Sequence, residues 1–441
     1  MNNFFDDNLL LYSDSAKELY KEVKDLPIID YHCHLDQSKI AKDEVFSDIG
    51  ELWLAGDHHK WRAMRLNGVD EYFITGNASF HDKFIKYAEI VPNLIGNALY
   101  YWTHLELKQI FGIDLPLNGD TAEEIYQMAN QKLKDMTVQS ILKGFNVEFI
   151  ATTDDPVDCL CDHKQYPAVN VTPTFRPDKL FNFEQSYIQK LGEVSNVQIK
   201  TLSDLELALA KRLDFFVTKG CRMADHGMDT FPLSYANKEQ AVELFSRYQT
   251  LSDSEKESLK GYILVWLSKE YAKRNITVQL HFAVTRNVNP VTFALCGPDS
   301  GFDVISELPS VNNVINFFKQ IPDKERPNSV IYTLNDANLA SLACITGAFR
   351  KVRMGAAWWF NDTVEGIRKN LKIISEYSSL GNNLGMLTDS RSFSSYCRFD
   401  FFRRILCDFV GNLVEKGEYD GQSATQLVKN ICYYNAKRMV E

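Results

Sequence analysis

The stretch PIIDYHCH, residues 27–34, decides how the rest of the chain is read. Ile28 and Ile29 are β-branched and sit among apolar neighbours, which predicts a short buried strand. Residues two apart in a strand point to the same side. His32 and His34 therefore project together from one strand end, with Asp30 on the same face. Two neutral imidazoles at that spacing can hold one divalent metal ion. Two ordinary hydrogen-bonded histidines would give the same pattern, so the remaining chain has to separate the readings.

Further short apolar runs follow, each trailed by polar or turn residues and then a helical stretch. They are VEFIATTDD from Val147, AVNVTPTF from Ala168, GCRMADHG from Gly220, TVQLHF from Thr277, VIYTLND from Val330, VRMGAAWWF from Val352 and LGMLTDSR from Leu384. With the first strand they make eight. Strands alternating with helices imply a parallel sheet, and eight such units imply an α/β fold of the (β/α)8 TIM-barrel type. A doubly wound open sheet is the alternative, but no Gly-rich phosphate turn supports it. Residues 36–143 show helical patterns broken by Gly and Pro and no convincing strand. They are expected to form a helical insertion after the first strand, within a single barrel domain spanning 1–441. One of these helices opens on TAEE, from Thr121, where Thr followed by Glu predicts a side-chain cap.

Nearly every run ends in a chemically capable group: His32 and His34, Asp154 and Asp155, Arg176, Asp225 and His226, His281, Asn335 and Asp336, Trp358 and Trp359, Asp389 and Arg391. A barrel gathers its strand ends on one face, where barrel enzymes place their sites. Asp155 and Asp336 sit in turn-forming contexts and are read as structural.

Composition excludes several classes. The 441 residues are 45% hydrophobic and 24% charged, an ordinary globular make-up. The formal net charge is −10, so no basic excess meets nucleic-acid phosphates. An anionic substrate would have to be captured by local arginines. Nine cysteines occur without a CxxC, which favours reduced thiols in a cytoplasm over a disulfide framework. The start, MNNFFDDNLLLY, lacks the basic region of a signal peptide. No apolar run reaches membrane-spanning length. A homo-oligomer is compatible with this composition.

DYHCHL, WLAGDHHKWRAMRLNG, GNALYYWTHLEL, TTDDPVD, FRPDK, CGPDSGFD, WWFND, GMLTDSRSFSSY with FRRILC, and VKNICYYNAKRM follow one another along the chain. In that order, over essentially the whole length, they closely resemble uronate isomerases, also called glucuronate isomerases. An HxH at the first strand, a His at the fifth and an Asp at the eighth also resemble the metal pattern of the amidohydrolase superfamily. The resemblance implies reversible conversion of D-glucuronate to D-fructuronate and of D-galacturonate to D-tagaturonate, the opening of hexuronate breakdown. It implies one divalent ion, usually zinc, held by His32, His34 and Asp389. His281 stands where the superfamily often has a further ligand, so it binds metal or substrate. His58, Trp61 and Arg62 match the family motif. The chain reads GDHHKW where the family usually reads GDHYKW, so His59 replaces a Tyr.

An aldose–ketose step moves a proton between C1 and C2, through a cis-enediol, and needs a base within reach of both carbons. Asp389 is the first candidate, with His59 next. Arg391, His59 and the metal are candidates to stabilise the enediol. Arg176 is the candidate for the substrate carboxylate, because its fork matches one in two bonds; pairing with Asp178 is the bland alternative. Arg286 could assist, His58 and His281 could touch the substrate, and Trp358 could stack on the sugar. Arg62 and Arg65 close the site from above or stay solvated. A hydrolase of the same superfamily and a non-enzymatic sugar-acid binder are the rival readings.

Overall fold

The computed structural model describes residues 4–307 and 311–441, so the opening stretch MNNFFDDNLLLY begins outside the described residues. Its strands are β1 (Ile28–Asp30), β2 (Val147–Asp154), β3 (Asn170–Phe175), β4 (Met223–Gly227), β5 (Thr277–Phe282), β6 (Val284–Thr285), β7 (Val304–Ile305), β8 (Ser329–Thr333) and β9 (Val352–Met354). Seven form one sheet in the order β1-β2-β3-β4-β5-β8-β9, and every pairing in it is parallel. Helices follow the strands, as in a barrel. β5 and β8 are buried at every residue, as expected of strands covered on both faces.

The eighth expected strand, from Leu384, differs. Residues 384–391 run alongside β1 without joining the ladder. Two backbone bonds tie them in, Asp389 N–H to His32 O at 3.1 Å and His34 N–H to Ser390 O at 2.9 Å. Elsewhere side chains stand in for a ladder. The Asp30 carboxylate accepts Thr388 N–H at 3.0 Å and Thr388 Oγ1 at 2.6 Å, and Tyr31 Oη donates to Gly385 O at 2.9 Å. With the Thr388 amide taken by the Asp30 side chain, no continuous run of backbone pairing forms, so the segment lies beside β1 without extending the sheet.

Between β1 and β2 the chain runs through helices Gln37–Lys42, Ile49–Leu54, His58–Leu66, Phe80–Ile90, Ala98–Phe111, Ala122–Leu133 and Val138–Gly144. Six of these seven helices open on a side-chain cap. Asp57, for example, caps His58–Leu66 by accepting from His59 N and Lys60 N. The TAEE cap is not made: Thr121 gives no side-chain cap, because its hydroxyl donates instead to Pro116 O at 2.7 Å and accepts Asn118 N–H at 3.1 Å. The antiparallel ribbon β6–β7 was not foreseen. It holds the loop that carries Arg286, Asp299 and Asp303 over the end of β5.

Candidate active site

His32 and His34 leave β1 on one side, as their spacing requires. Their Nε2 atoms lie 3.1 and 3.0 Å from Asp389 Oδ1. Asp389 adopts φ 47°, a left-handed conformation that costs a non-glycine residue roughly 1–2 kcal/mol and that Asp tolerates better than most. Its second oxygen, Oδ2, accepts the Trp358 indole N–H at 2.7 Å. The carboxylate is thus held at both ends, one oxygen toward the imidazoles and one on the indole.

The three ligand atoms lie within 4.8 Å of one another, and the donor set of two imidazoles and one carboxylate suits a divalent ion. A second triple, His32, Asp225 and His281, meets the same distance. His32 Nδ1 and His281 Nε2 are buried without a hydrogen-bond partner. These observations fit a metal ion at the barrel centre.

Asp225, fully buried on β4, anchors the floor. Its Oδ1 accepts His281 Nδ1–H at 2.6 Å, and its Oδ2 faces Arg176 Nη1 at 2.8 Å. Burial opposes its charge, but Arg176, His32 and His281 outweigh burial and hold its carboxyl well below the usual range. Because Asp225 stays ionised, His281 carries its proton on Nδ1 and leaves a lone pair on Nε2. The His281 ring stacks on Tyr332 at 4.3 Å between centroids, and burial lowers its pKa. Burial also lowers His34, to about 4. His32 is raised, because Asp225 and Asp389 outweigh its burial. For Asp389, burial is outweighed by hydrogen bonds from His32 and His34, which hold it well below the usual range.

These groups open into a cavity of about 400 Å³, within the range of small-ligand sites. Arg176, Arg286 and Arg391 line it, together with His58 and Trp358. Arg176 Nε sits on Asp178 at 2.8 Å, so two of its nitrogens are already on carboxylates. Burial opposes its charge, and Asp225 and Asp178 more than restore it. Arg286 is less engaged, 3.8 Å from Asp303 and lying over the Trp359 ring. Arg391 Nη2 is 2.9 Å from Asp299. His58 is neutral, its pKa brought down to about 4 by burial and by Arg391.

His59 is not among the residues lining the cavity. Its ring lies behind His58, with centroids 4.5 Å apart, and edge-on to Trp102 at 6.0 Å. Burial and the neighbouring His58 hold its pKa well below the ordinary value. Arg62 and Arg65 serve the loop 297–303. Arg62 Nη1 donates to Gly301 O at 3.0 Å and Asp303 O at 2.9 Å, and Arg65 Nη1 donates to Ser300 O. That loop brings Asp299 to the cavity wall. Sequence reasoning passed over Asp299, although the motif CGPDSGFD contained it. It also gave Trp358 only a stacking role. A buried indole N–H needs an acceptor, which was the available signal for its bond to Asp389.

A family profile described as glucuronate isomerase matches residues 1–440. The chain belongs to the glucuronate isomerase family. A uronate isomerase of Caldanaerobacter subterraneus subsp. tengcongensis is 41% identical to it over 99% of each chain. A uronate isomerase of Brachyspira hyodysenteriae is 40% identical, again over 99% of each chain. The solved uronate isomerase of Thermotoga maritima superposes with a TM-score of 0.96 at 34% identity and full coverage of both chains. The glucuronate isomerase of Caulobacter crescentus, at 23% identity, covers 99% of this chain and 96% of its own, and shares the fold with a TM-score of 0.93. The chain is accordingly an isomerase.

Proposed function

We propose that the chain interconverts D-glucuronate with D-fructuronate, and D-galacturonate with D-tagaturonate, through a cis-enediol. The observation that carries this is one cavity uniting the His32–His34–Asp389 cluster with three arginines, in a chain of the glucuronate isomerase family. In this proposal His32, His34 and Asp389 hold one zinc ion. When bound, such an ion supplies Lewis acidity, polarising a carbonyl and stabilising negative charge that develops beside it.

The protein's own groups do the rest. In a chain with an overall charge of −10, Arg176, Arg286 and Arg391 on the cavity wall supply the local donors for the uronate carboxylate. Arg391 also faces the enediol oxygens, where fixed positive charge counts most. Neutral His58 donates a hydrogen bond to the substrate, and His281 Nε2 accepts one from a substrate hydroxyl. Trp358 walls the sugar and aims Asp389. Asp389 carries the proton from C2 to C1, whereas His59, the other catalytic candidate, lies behind His58 and outside the cavity and so acts only through that ring. Nine free thiols suit a reducing compartment, and we place the enzyme in the cytoplasm. No helix among the described residues is long and apolar enough to cross a membrane.

Proton NMR of D-glucuronate incubated with the protein in D2O tests the reading. The expected product is the ketose, with deuterium entering C1 only to the extent that the proton on the transferring base exchanges with solvent before it is delivered. An aldose left unchanged by metal-loaded protein would overturn the proposal.

A further inference from the structure

Three full charges lie buried where the helix His58–Leu66 meets the helix Ala98–Phe111. Asp57 is 4% exposed, Lys60 1% and Glu106 0%. Lys60 Nζ sits 3.0 Å from Asp57 Oδ2 and 3.5 Å from Glu106 Oε1. Asp57 Oδ1 at the same time caps the helix at His59 N–H, 2.9 Å. Glu106 Oε2 accepts the hydroxyl of Ser394 at 2.7 Å. Ser394 contacts the Ser392 hydroxyl at 3.0 Å, and Ser392 N–H donates to Ser390 Oγ at 3.0 Å. Ser390 directly follows Asp389. A second connection runs beside the first: Arg398 donates to Thr388 O at 2.8 Å and stacks on Trp102, 3.9 Å from the ring centroid. Trp102 in turn touches His59.

Ions buried this deeply contribute little net stability, since apolar groups of the same volume would pack as well. They do impose geometry. Lys60 keeps its second carboxylate, and Glu106 its serine hydroxyl, only while helices and loop keep their relative places, because a shift of either leaves a buried charge uncompensated. The two elements so joined are the one presenting His58 and the one presenting Asp389 and Arg391.

We propose that Lys60, Glu106 and Ser394 are positioning residues for the isomerisation, a buried brace that fixes the His58 helix against the Asp389–Ser395 loop. None of the three lines the cavity, so they act only through the groups they hold. The inference rests on the isomerase reading. A wild-type protein without turnover contradicts that reading, whereas the variants below test the brace alone.

The test is a double-mutant cycle with Lys60→Met and Ser394→Ala, run on metal-loaded full-length protein with metal content and thermal unfolding recorded for each sample. Displacing a reacting group by about 1 Å can cost roughly 100-fold in rate. Each single variant is therefore expected to lose about 10- to 100-fold in kcat, with KM changed less than about threefold. Because both act through one brace, the double variant should lose little more than the worse single one. Ser394→Ala removes one oxygen atom. If Lys60→Met does not fold, Lys60→Arg replaces it in the cycle, keeping the charge but moving it. Wild-type kcat in folded, metal-loaded variants would overturn the proposal. Losses that simply multiply in the double variant would also overturn it, because they would mean two independent effects.

Discussion

Asp389 is the residue on which the chemistry turns, because its two oxygens face two tasks. Oδ1 meets His32 and His34, and Oδ2 meets the Trp358 indole. Asp389→Asn keeps the shape, removes the charge and lowers basicity. Its kcat should fall by about two to four orders of magnitude, the usual range for losing general acid–base catalysis. Metal occupancy must be measured on the same sample, and near-normal turnover at full occupancy would move the base to another group lining the cavity. Arg176 makes a different case. The fork that suggested carboxylate capture rests on Asp225 and Asp178. Arg176→Met should therefore weaken uronate binding and also destabilise the fold by about 3–5 kcal/mol, the cost of stranding a buried charge. Chemical denaturation alongside kcat/KM for glucuronate checks both, and unchanged values for both would remove Arg176 from floor and site alike. These pairings were hidden in the sequence. FRPDK showed Asp178 two residues away, but Asp225 lies on another strand, and a partner across the sheet leaves no local mark.

At the scale of elements, legibility followed the kind of interaction that builds each one. Strands made by apolar runs, such as TVQLHF and VIYTLND, could be read because burial of both faces leaves a continuous hydrophobic record. The segment from Leu384 carries the same pattern, yet Asp30 takes its amide and no ladder forms. The two-residue strands β6 and β7 were too short to show periodicity. Thr121 held a cap-like sequence whose hydroxyl found nearer partners. We propose that residues 36–143 are an insertion within one barrel domain spanning 1–441, with its helix His58–Leu66 serving as the site's roof. The loop 297–303 is pinned to that roof. Gly301 has φ 93°, and a Cβ there would stand 3.0 Å from His58 O. Gly301→Ala should thus shift Asp299 and Arg391 and lower kcat/KM by about tenfold, since left-handed alanine costs roughly 1–2 kcal/mol. Steady-state kinetics on protein shown to be folded at the assay temperature would show it, and wild-type kcat/KM would mean the loop does not shape the site.

For the molecule as a whole, acid should loosen the fold before it unfolds it. His104, 2% exposed, donates from Nδ1 to Tyr100 O at 2.7 Å and accepts Leu117 N–H on Nε2 at 3.0 Å. Burial brings its pKa down to about 4. The folded state therefore favours the neutral ring. Its contribution is complete above the unfolded value near 6.5 and is lost as pH falls from there toward 4. The loss amounts to about 3 kcal/mol at most. Unfolding temperatures of wild type and His104→Gln between pH 7.5 and 4.5 check this, and the variant should show the flatter profile. Parallel profiles would mean that His104 protonates without consequence. The strand-end residues on which the whole reading converges were legible early, because a barrel gathers them wherever their own partners lie. The central claim is that this gathering makes a metal-assisted uronate isomerase. The most direct measurement is ketose formation from D-glucuronate and from D-galacturonate by purified protein, before and after a chelator and after adding zinc back. The account predicts turnover that the chelator abolishes and zinc restores. Full activity in verified metal-free protein, or no ketose from either uronate with metal bound, would contradict it.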